Sequence, residues 1–563
     1  MDPDYIVIGG GSSGCVVANR LSGPGGGTVL LLEAGGSSRG LKYRMPLAAT
    51  KLWFNPESDW CMLSEPEPAL GGRKIGVPRG KALGGSSAIN GTIYNRGSPH
   101  DFEQWRDLGL NGWDYASVLP YFRRVESHWR GSGRFHGDRG DLPVTSLRYV
   151  SPLTDDLLKT ARQAGLPIVD DFCGPNPEGV GLSDVNISKA GRRMSAADAF
   201  LWPIRHRDTL TVETGARVLG VKVEGGRAVA VTYLRNGATH VVRARKEIII
   251  SAGAVHSPQV LLCAGIGPAD ELKRVGVTPV HDLPGVGRNF NDQPGASFEF
   301  KSKLPRTLNG ELRFDRLAVR LAQWTVGLGG PASCPPLVGI GSLRTPYVER
   351  SPDLRFVLAG ATLDSKVWFP GFTRQGEHKM TMRFAVAHPR SRGSITLASN
   401  DPLAQPRILF NLLSDPYDLF RLRQYYKFLI GLIRQSEFSH VAGSITRPSP
   451  EPSSDIELDN YLRSVAETTS HPMGSCRMGV DADAVVDSEC RVRGISGLRV
   501  VDASVFPTQI SGNPNATAIM LADRVSDMIL GRPPLPRGNV TAEEINQGKK
   551  NVVAFEEAGL TVV

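Results

Sequence analysis

Paired cysteines, a long apolar run, a dense basic stripe and a leader-like start are all missing from this chain of 563 residues. Its seven cysteines, Cys15, Cys61, Cys173, Cys263, Cys334, Cys476 and Cys490, form an odd set with no Cys-x-x-Cys pair. That excludes a disulfide framework or a zinc cluster, so no metal site is expected, and the cysteines are left as buried small hydrophobes. No segment holds the roughly eighteen uninterrupted apolar residues of a membrane span. The chain opens almost directly on a strand, with neither a basic n-region nor an apolar h-region, and the expectation is a cytoplasmic protein. The triplets Asn90-Gly91-Thr92 and Asn515-Ala516-Thr517 support it, because both lie in motif loops where a glycan would obstruct a site. The net charge of +9 is scattered as pairs such as Arg123-Arg124, Arg192-Arg193 and Lys549-Lys550, which reads as solvated surface rather than a nucleic-acid interface. The 40% hydrophobic and 21% charged content is that of an ordinary globular enzyme, and this length implies two or more domains.

What is present concentrates at the two ends. Tyr5 to Ile8 is apolar, Gly9, Gly11 and Gly14 punctuate a turn with Ser12 and Ser13, Cys15 to Leu21 is helical, and Thr28 to Leu32 reads as a buried strand ending at Glu33. This is a βαβ unit with a phosphate-binding turn: glycines allow the tight turn and helix packing, the helix N-terminus faces a pyrophosphate, and the terminal acid binds ribose hydroxyls. Near the other end stand Thr469-Ser470-His471-Pro472-Met473-Gly474-Ser475 and Ser511-Gly512-Asn513-Pro514-Asn515-Ala516-Thr517. Gly and Pro break both periodicities there, so these segments aim one histidine and one asparagine into a site.

Between them, Leu210–Thr214, Val218–Val223 and Glu247–Ser251 read as short strands of a β-meander returning to the sheet. Residues 301 to 465 are richer in loops, with a strand at Ser394–Leu397 and an amphipathic helix around Asp418 to Gln435. They are assigned to a second domain. No internal repeat is evident, and the polar tail after Pro533 is expected to be peripheral.

Four segments together resemble the glucose–methanol–choline (GMC) flavin oxidoreductases. Gly80-Lys81-Ala82-Leu83-Gly84-Gly85-Ser86-Ser87-Ala88-Ile89-Asn90 is similar to the family's first signature, and Gly253 to Gly267 to its second. The His471 and Asn513 segments, with Leu498 to Ser504 between them, complete the set, so the similarity spans roughly residues 4 to 531. The resemblance implies a mixed α/β (α+β) fold: a Rossmann-like FAD-binding domain with a β-meander, plus a smaller sheet-and-helix substrate-binding domain. The corresponding division is 1-150, 191-300 and 466-532 for FAD, 151-190 and 301-465 for substrate, and 533-563 as a tail.

It also implies which residues hold FAD. Gly9, Gly11, Ser12, Ser13, Gly14, Glu33 and Ala34 would bind the ADP part, and Val218 would meet the adenine through its backbone. Leu83, Gly84, Ser87, Asn90, Gly91, Thr92 and Ile93 would run along the ring and ribityl chain. Asp502, Ala503, Pro514, Asn515, Ala516 and Thr517 would close around the flavin. Covalent-flavin relatives carry a histidine just before the signature asparagine; here that residue is Ile89, so non-covalent FAD is expected. Ala264 replaces the second signature's usual serine, a change read as packing.

The implied activity is oxidation of a small-molecule primary or secondary alcohol to its carbonyl, with oxygen or an organic or protein acceptor reoxidising the flavin. His471 would take the hydroxyl proton, since imidazole titrates near neutrality. Asn513 exchanges no proton but can donate a hydrogen bond to the developing alkoxide. A lyase or light-driven decarboxylase on the same scaffold, or a silent flavoprotein, are the alternatives; the His–Asn arrangement suits hydride transfer better. His256, His281 and His388 are read as structural. Trp53, Phe54, Trp60, Trp368, Phe369 and Phe372 read first as core or lid aromatics, with pocket lining as the second reading, and nothing near Cys334 predicts a reactive thiol.

Overall fold

The computed structural model describes residues 2–348, 351–434 and 436–546. Lys549-Lys550, the tail beyond Asn546 and Gln435 lie outside the described residues. A five-stranded parallel sheet organises one half: β1 (Tyr5–Ile8), β2 (Val29–Glu33), β3 (Leu210–Thr214), β4 (Glu247–Ile250) and β5 (Leu498–Val500), in spatial order β3-β2-β1-β4-β5. β1, β2 and β4 are apolar almost without interruption because both faces of a parallel sheet are covered. Helix α1 (Ser12–Leu21) follows β1, α2 (Gly253–Cys263) follows β4, and α3 (Pro514–Ile529) lies beside α1, joined to it by an Arg20–Asp523 ion pair at 2.7 Å.

Of the three segments expected to form one meander, only Val218–Val223 is in it. The meander consists of Arg217–Glu224, Arg227–Arg235 and Ala238–Arg243, while Leu210–Thr214 and Glu247–Ile250 are parallel-sheet strands on either side. The Ile248-Ile249-Ile250 run, wholly buried, carries the signature of a two-sided strand rather than the alternation of a half-exposed one.

The second half is an antiparallel-rich sheet in the order 442–447, 294–302, 379–386, 354–359, 337–343, 179–181 and 168–169, with Glu467–Thr468 paired to Pro294–Gly295. Strand Pro294–Ser302 therefore runs across the expected boundary at residue 300 and pairs on both sides within this sheet. Helix Pro416–Arg434 covers the sheet, where an amphipathic helix was expected, and Ser394–Thr396 pairs with Arg407–Leu409. Each sheet has its own buried core. All seven cysteines are free, Cys61 and Cys263 half-buried and the others buried. Among the described residues no helix is long and apolar enough to cross a membrane. The described part of the tail runs over the surface, with Arg537 paired to Asp114 at 2.7 Å.

Candidate active site

The turn after β1 is closed to any residue but glycine at two places. A Cβ on Gly14 would stand 1.9 Å from the Gly9 carbonyl oxygen, and Gly9 itself has φ +96° with a would-be Cβ 2.6 Å from the Ser251 oxygen. Gly11 caps α1 without a side-chain hydrogen bond, so the helix's first N–H groups are open to an anion. The Glu33 carboxylate accepts from the Gly10 and Gly35 amides at 2.8 and 2.7 Å, and burial pushes its carboxyl up to about 7. Ser12 Oγ donates to Asn515 Oδ1 at 2.7 Å, tying α1 to the start of α3.

From this turn a cavity of about 790 Å³ extends to His471 and Asn513. Its wall includes Gly9, Gly11, Ser12, Ser13, Glu33, Ala34, Ser87, Asn90, Gly91, Thr92, Ile93, Val218, Asp502, Ala503, Pro514 and Asn515. Gly14, Leu83, Gly84, Ala516 and Thr517 stand behind the wall and hold it: the Gly84 amide donates to the Gly10 carbonyl at 2.7 Å and Thr517 Oγ1 to the Arg96 carbonyl at 3.1 Å. Space for a group of FAD's kind is visible in the wall. Built Cβ atoms on Gly11 and Gly91 meet nothing closer than 3.8 Å, and Thr92 Oγ1 is buried without a hydrogen-bond partner. Asp502 instead grips the protein, accepting from the Gly253 amide at 2.8 Å, from Ser257 Oγ at 2.5 Å and from the Ser504 amide at 2.8 Å.

At the far end the two expected residues meet: His471 Nε2 and Asn513 Nδ2 are 2.9 Å apart. Their protonation follows from what surrounds them. Arg355 only donates, and its Nη1 lies 3.2 Å from Gln293 Oε1, which is also 3.0 Å from His471 Nδ1. Nδ1 therefore carries the hydrogen, and Nε2 keeps its lone pair. Arg355 Nη2 and Asn95 Nδ2 both donate to Asn513 Oδ1, at 2.7 and 2.8 Å, which turns the amide nitrogen toward Nε2. Asn95 Oδ1 also accepts the Asn513 backbone N–H at 2.6 Å.

The loop that carries the histidine is strained and clamped. Ser470 has φ +65°, and Asp292 receives the His471 backbone N–H at 3.1 Å on each oxygen together with the Thr468 hydroxyl. Arg79 Nη2 donates to the Ser470 carbonyl at 2.8 Å. Desolvation first, then the charges of Arg355, Arg79 and Arg383, hold the His471 imidazole well below its ordinary range, so it is a neutral base at neutral pH. Burial likewise lifts the Asp292 carboxyl to about 6, against the Thr468 hydrogen bond and the charge of Arg79.

Gln293, Arg355, Asn95, Asp292, Thr469 and Arg79 carry this geometry; sequence reasoning named the segment of Thr469 without giving it a role and missed the other five. Only the Asn291-Asp292-Gln293 cluster of polar residues ahead of an apolar strand offered a local signal. Trp53, Phe54 and Trp60 line the cavity, whereas Phe372 is 92% exposed and Phe369 stacks on Phe314 at 4.7 Å. His256 also lines the cavity, against Trp60 with ring centroids 4.4 Å apart, and burial drives its imidazole down to about 3. Cys334 is buried with its thiol pushed up, away from reactivity. Among the described residues, one cluster has metal-ligand types, Glu126, His128 and His136, but Glu126 is already paired with Arg96 at 2.5 Å and hydrogen-bonded to Tyr94.

The cavity thus runs from a glycine turn of dinucleotide type to a histidine hydrogen-bonded to an oriented amide. Residues 3–295 and 389–522 match the two family models of GMC oxidoreductase, and the chain belongs to that family. It is 38% identical over 541 residues to the oxygen-dependent choline dehydrogenase of Rhizobium etli, covering 96% of this chain and 97% of that one. Among solved structures it is similar to pyridoxine 4-oxidase from Mesorbium loti, at 28% identity and a TM-score of 0.83, covering 93% of this chain and 98% of that one. It is also similar to the R554A variant of Aspergillus oryzae formate oxidase, at 25% identity and a TM-score of 0.86, covering 94% and 98%. The chain is thus an FAD-dependent oxidoreductase acting on the CH–OH group of a small molecule and passing electrons to an acceptor; the lyase and silent-flavoprotein alternatives are not favoured.

Proposed function

We propose that His471 is the base of this oxidation and Asn513 its hydrogen-bonding partner. The observation that carries the reading is the convergence of Nε2 and Nδ2, 2.9 Å apart at the cavity wall, with Nδ1 already committed to Gln293. An alcohol hydroxyl that displaces the direct Nδ2–H to Nε2 hydrogen bond and bridges the pair donates its hydrogen to Nε2 and accepts one from Nδ2. As the O–H bond weakens, Nε2 takes the proton and the amide shares the charge gathering on oxygen. Gln293 keeps the imidazole in the tautomer that can do this.

FAD, when bound, supplies the hydride acceptor. Gly9, Gly11, Ser12 and the open start of α1 would hold its diphosphate, Glu33 its ribose and Val218 its adenine, and Asn90 to Ile93 with Pro514 and Asn515 would flank the flavin. Gly14, Leu83, Gly84, Ala516 and Thr517 act through the wall they support. Ile89 offers no imidazole for a covalent link, so the FAD is dissociable and should leave with the supernatant on acid precipitation. The division of labour follows the two sheets, with residues 1-150, 191 to about 293 and 466-532 serving FAD and the remainder up to 465 serving substrate. Free thiols and the cavity-lining Asn90 and Asn515 triplets fit a cytoplasmic enzyme, and the relatives, named for choline and pyridoxine, point to a small alcohol.

The test is His471→Ala in the FAD-loaded enzyme, followed by anaerobic stopped-flow bleaching of the flavin. A fall of about 10²- to 10⁴-fold is expected, the usual worth of a positioned general base. An unchanged rate removes His471 from the mechanism.

A further inference from the structure

The charges at the reactive end are lopsided. Arg79, Arg355 and Arg383 all line the cavity and all act on His471. Arg383 is neutralised by Glu467 at 2.6 Å. Arg355 is not neutralised: among the described residues no carboxylate lies within ion-pair distance of its guanidinium, and the two groups it meets, Gln293 Oε1 and Asn513 Oδ1, are neutral. Arg79 has a backbone carbonyl, Ser470, as its partner there. Two carboxylates stand nearby: Asp292, held by the His471 and Gln293 amides and the Thr468 hydroxyl, and Asp101, whose Oδ2 is held by Ser98 and Ser511 and whose charge reaches Arg355 without an ion pair.

A guanidinium partly withdrawn from water without an ion-pair partner is costly, and burial pulls Arg355 down to about 10, against the more distant charge of Asp101. Such a group is stabilised by an anion brought in from outside, and a planar guanidinium matches a carboxylate. Its position is specific. Arg355 sits one hydrogen bond behind Asn513, the residue proposed to hold the reacting hydroxyl, so it reaches a substituent a few bonds from the carbinol carbon. The same charge opposes a quaternary ammonium at that distance.

Resting on the His471–Asn513 reading, we infer that the substrate is an alcohol carrying a carboxylate, with Arg355 as the residue that recognises it. The substrate's carboxylate pairs with the guanidinium while its hydroxyl displaces the direct contact of Nε2 with Nδ2 and bridges the two. No further redox partner is needed, because the oxidation at carbon is the one already described.

The experiment compares 4-(hydroxymethyl)benzoate with benzyl alcohol and with choline in anaerobic flavin bleaching of the FAD-loaded enzyme. In parallel, unreactive benzoate is titrated by its perturbation of the flavin spectrum. The carboxylate alcohol should show an apparent Kd at least about tenfold below that of its neutral counterpart, with choline weakest. Arg355→Gln should erase that ratio and the benzoate shift, and Arg355→Lys should restore part of both. Because Arg355 also orients Asn513, the ratio between the two alcohols, rather than either rate, isolates the charge. Equal Kd values for the two alcohols, or preference for choline, overturn the inference while leaving alcohol oxidation intact. If no alcohol bleaches the flavin but benzoate binds in an Arg355-dependent way, the anion site stands and the proposed oxidation falls. Absence of benzoate binding overturns the anion site.

Discussion

At one end of the cavity stands a contiguous motif, Tyr5 to Glu33, whose turn is set by backbone geometry at Gly9 and Gly14. At the reactive end the wall comes from distant segments: Asn95, Gln293, Arg355, His471 and Asn513 arrive from across the chain and are joined by side-chain hydrogen bonds. The first end is closed to side chains at Gly9 and Gly14; in the second each side chain fixes the next. A backbone cradle should fail abruptly when filled, and a side-chain network should fail by degrees.

The sharpest break is expected at Gly14. Gly14→Val forces a Cβ into the Gly9 carbonyl, and nearly all bound flavin should be lost, measured as FAD absorbance per polypeptide. Full flavin occupancy in that variant would discredit the phosphate-turn assignment. Within the network, Gln293→Leu leaves the His471 Nδ1 hydrogen without its acceptor. Flavin reduction should slow by about 10- to 100-fold, the kinetic equivalent of roughly 1–3 kcal/mol for an unsatisfied buried group. A rate within twofold of the parent would show that Thr469, 3.2 Å from the same nitrogen, suffices.

The smallest effect concerns pH. Since burial and the neighbouring arginines lower the His471 pKa, its free base persists as protons become more abundant. The reduction rate should therefore be level through neutral pH and fall only below the ordinary imidazole value of 6.5, where Asp292, whose carboxyl is lifted to about 6 and holds the His471 loop, adds its own step. A midpoint above 6.5 would contradict the neutral-base arrangement.

This contrast also explains what could be read from the sequence. The βαβ unit declares itself because its apolar strands, glycine turn and helix are contiguous, so local chemistry dictates local structure. His471 and Asn513 stood out through the Gly and Pro around them. Gln293 and Arg355 did not, because each lies at or beside an ordinary strand and its meaning depends on a partner far along the chain. Strand Leu210–Thr214 was placed in the wrong neighbourhood for a related reason. Its alternation is visible, but its parallel pairing with Val29–Glu33 is a long-range choice that no short window records.

The His471–Asn513 contact also lies on a seam between the two sheets, which Arg355–Asn513, Gln293–Ile510 and Gln509–His471 hydrogen bonds cross as well. Residues 467–473 are stitched to 291–295 at the root of the large antiparallel sheet, whereas Asn513 is the first residue ahead of α3, which is bolted to α1 beside the parallel sheet. The 2.9 Å gap between Nε2 and Nδ2 thus works as a vernier between them. Sliding of one sheet against the other would alter the alignment of His471 and Asn513.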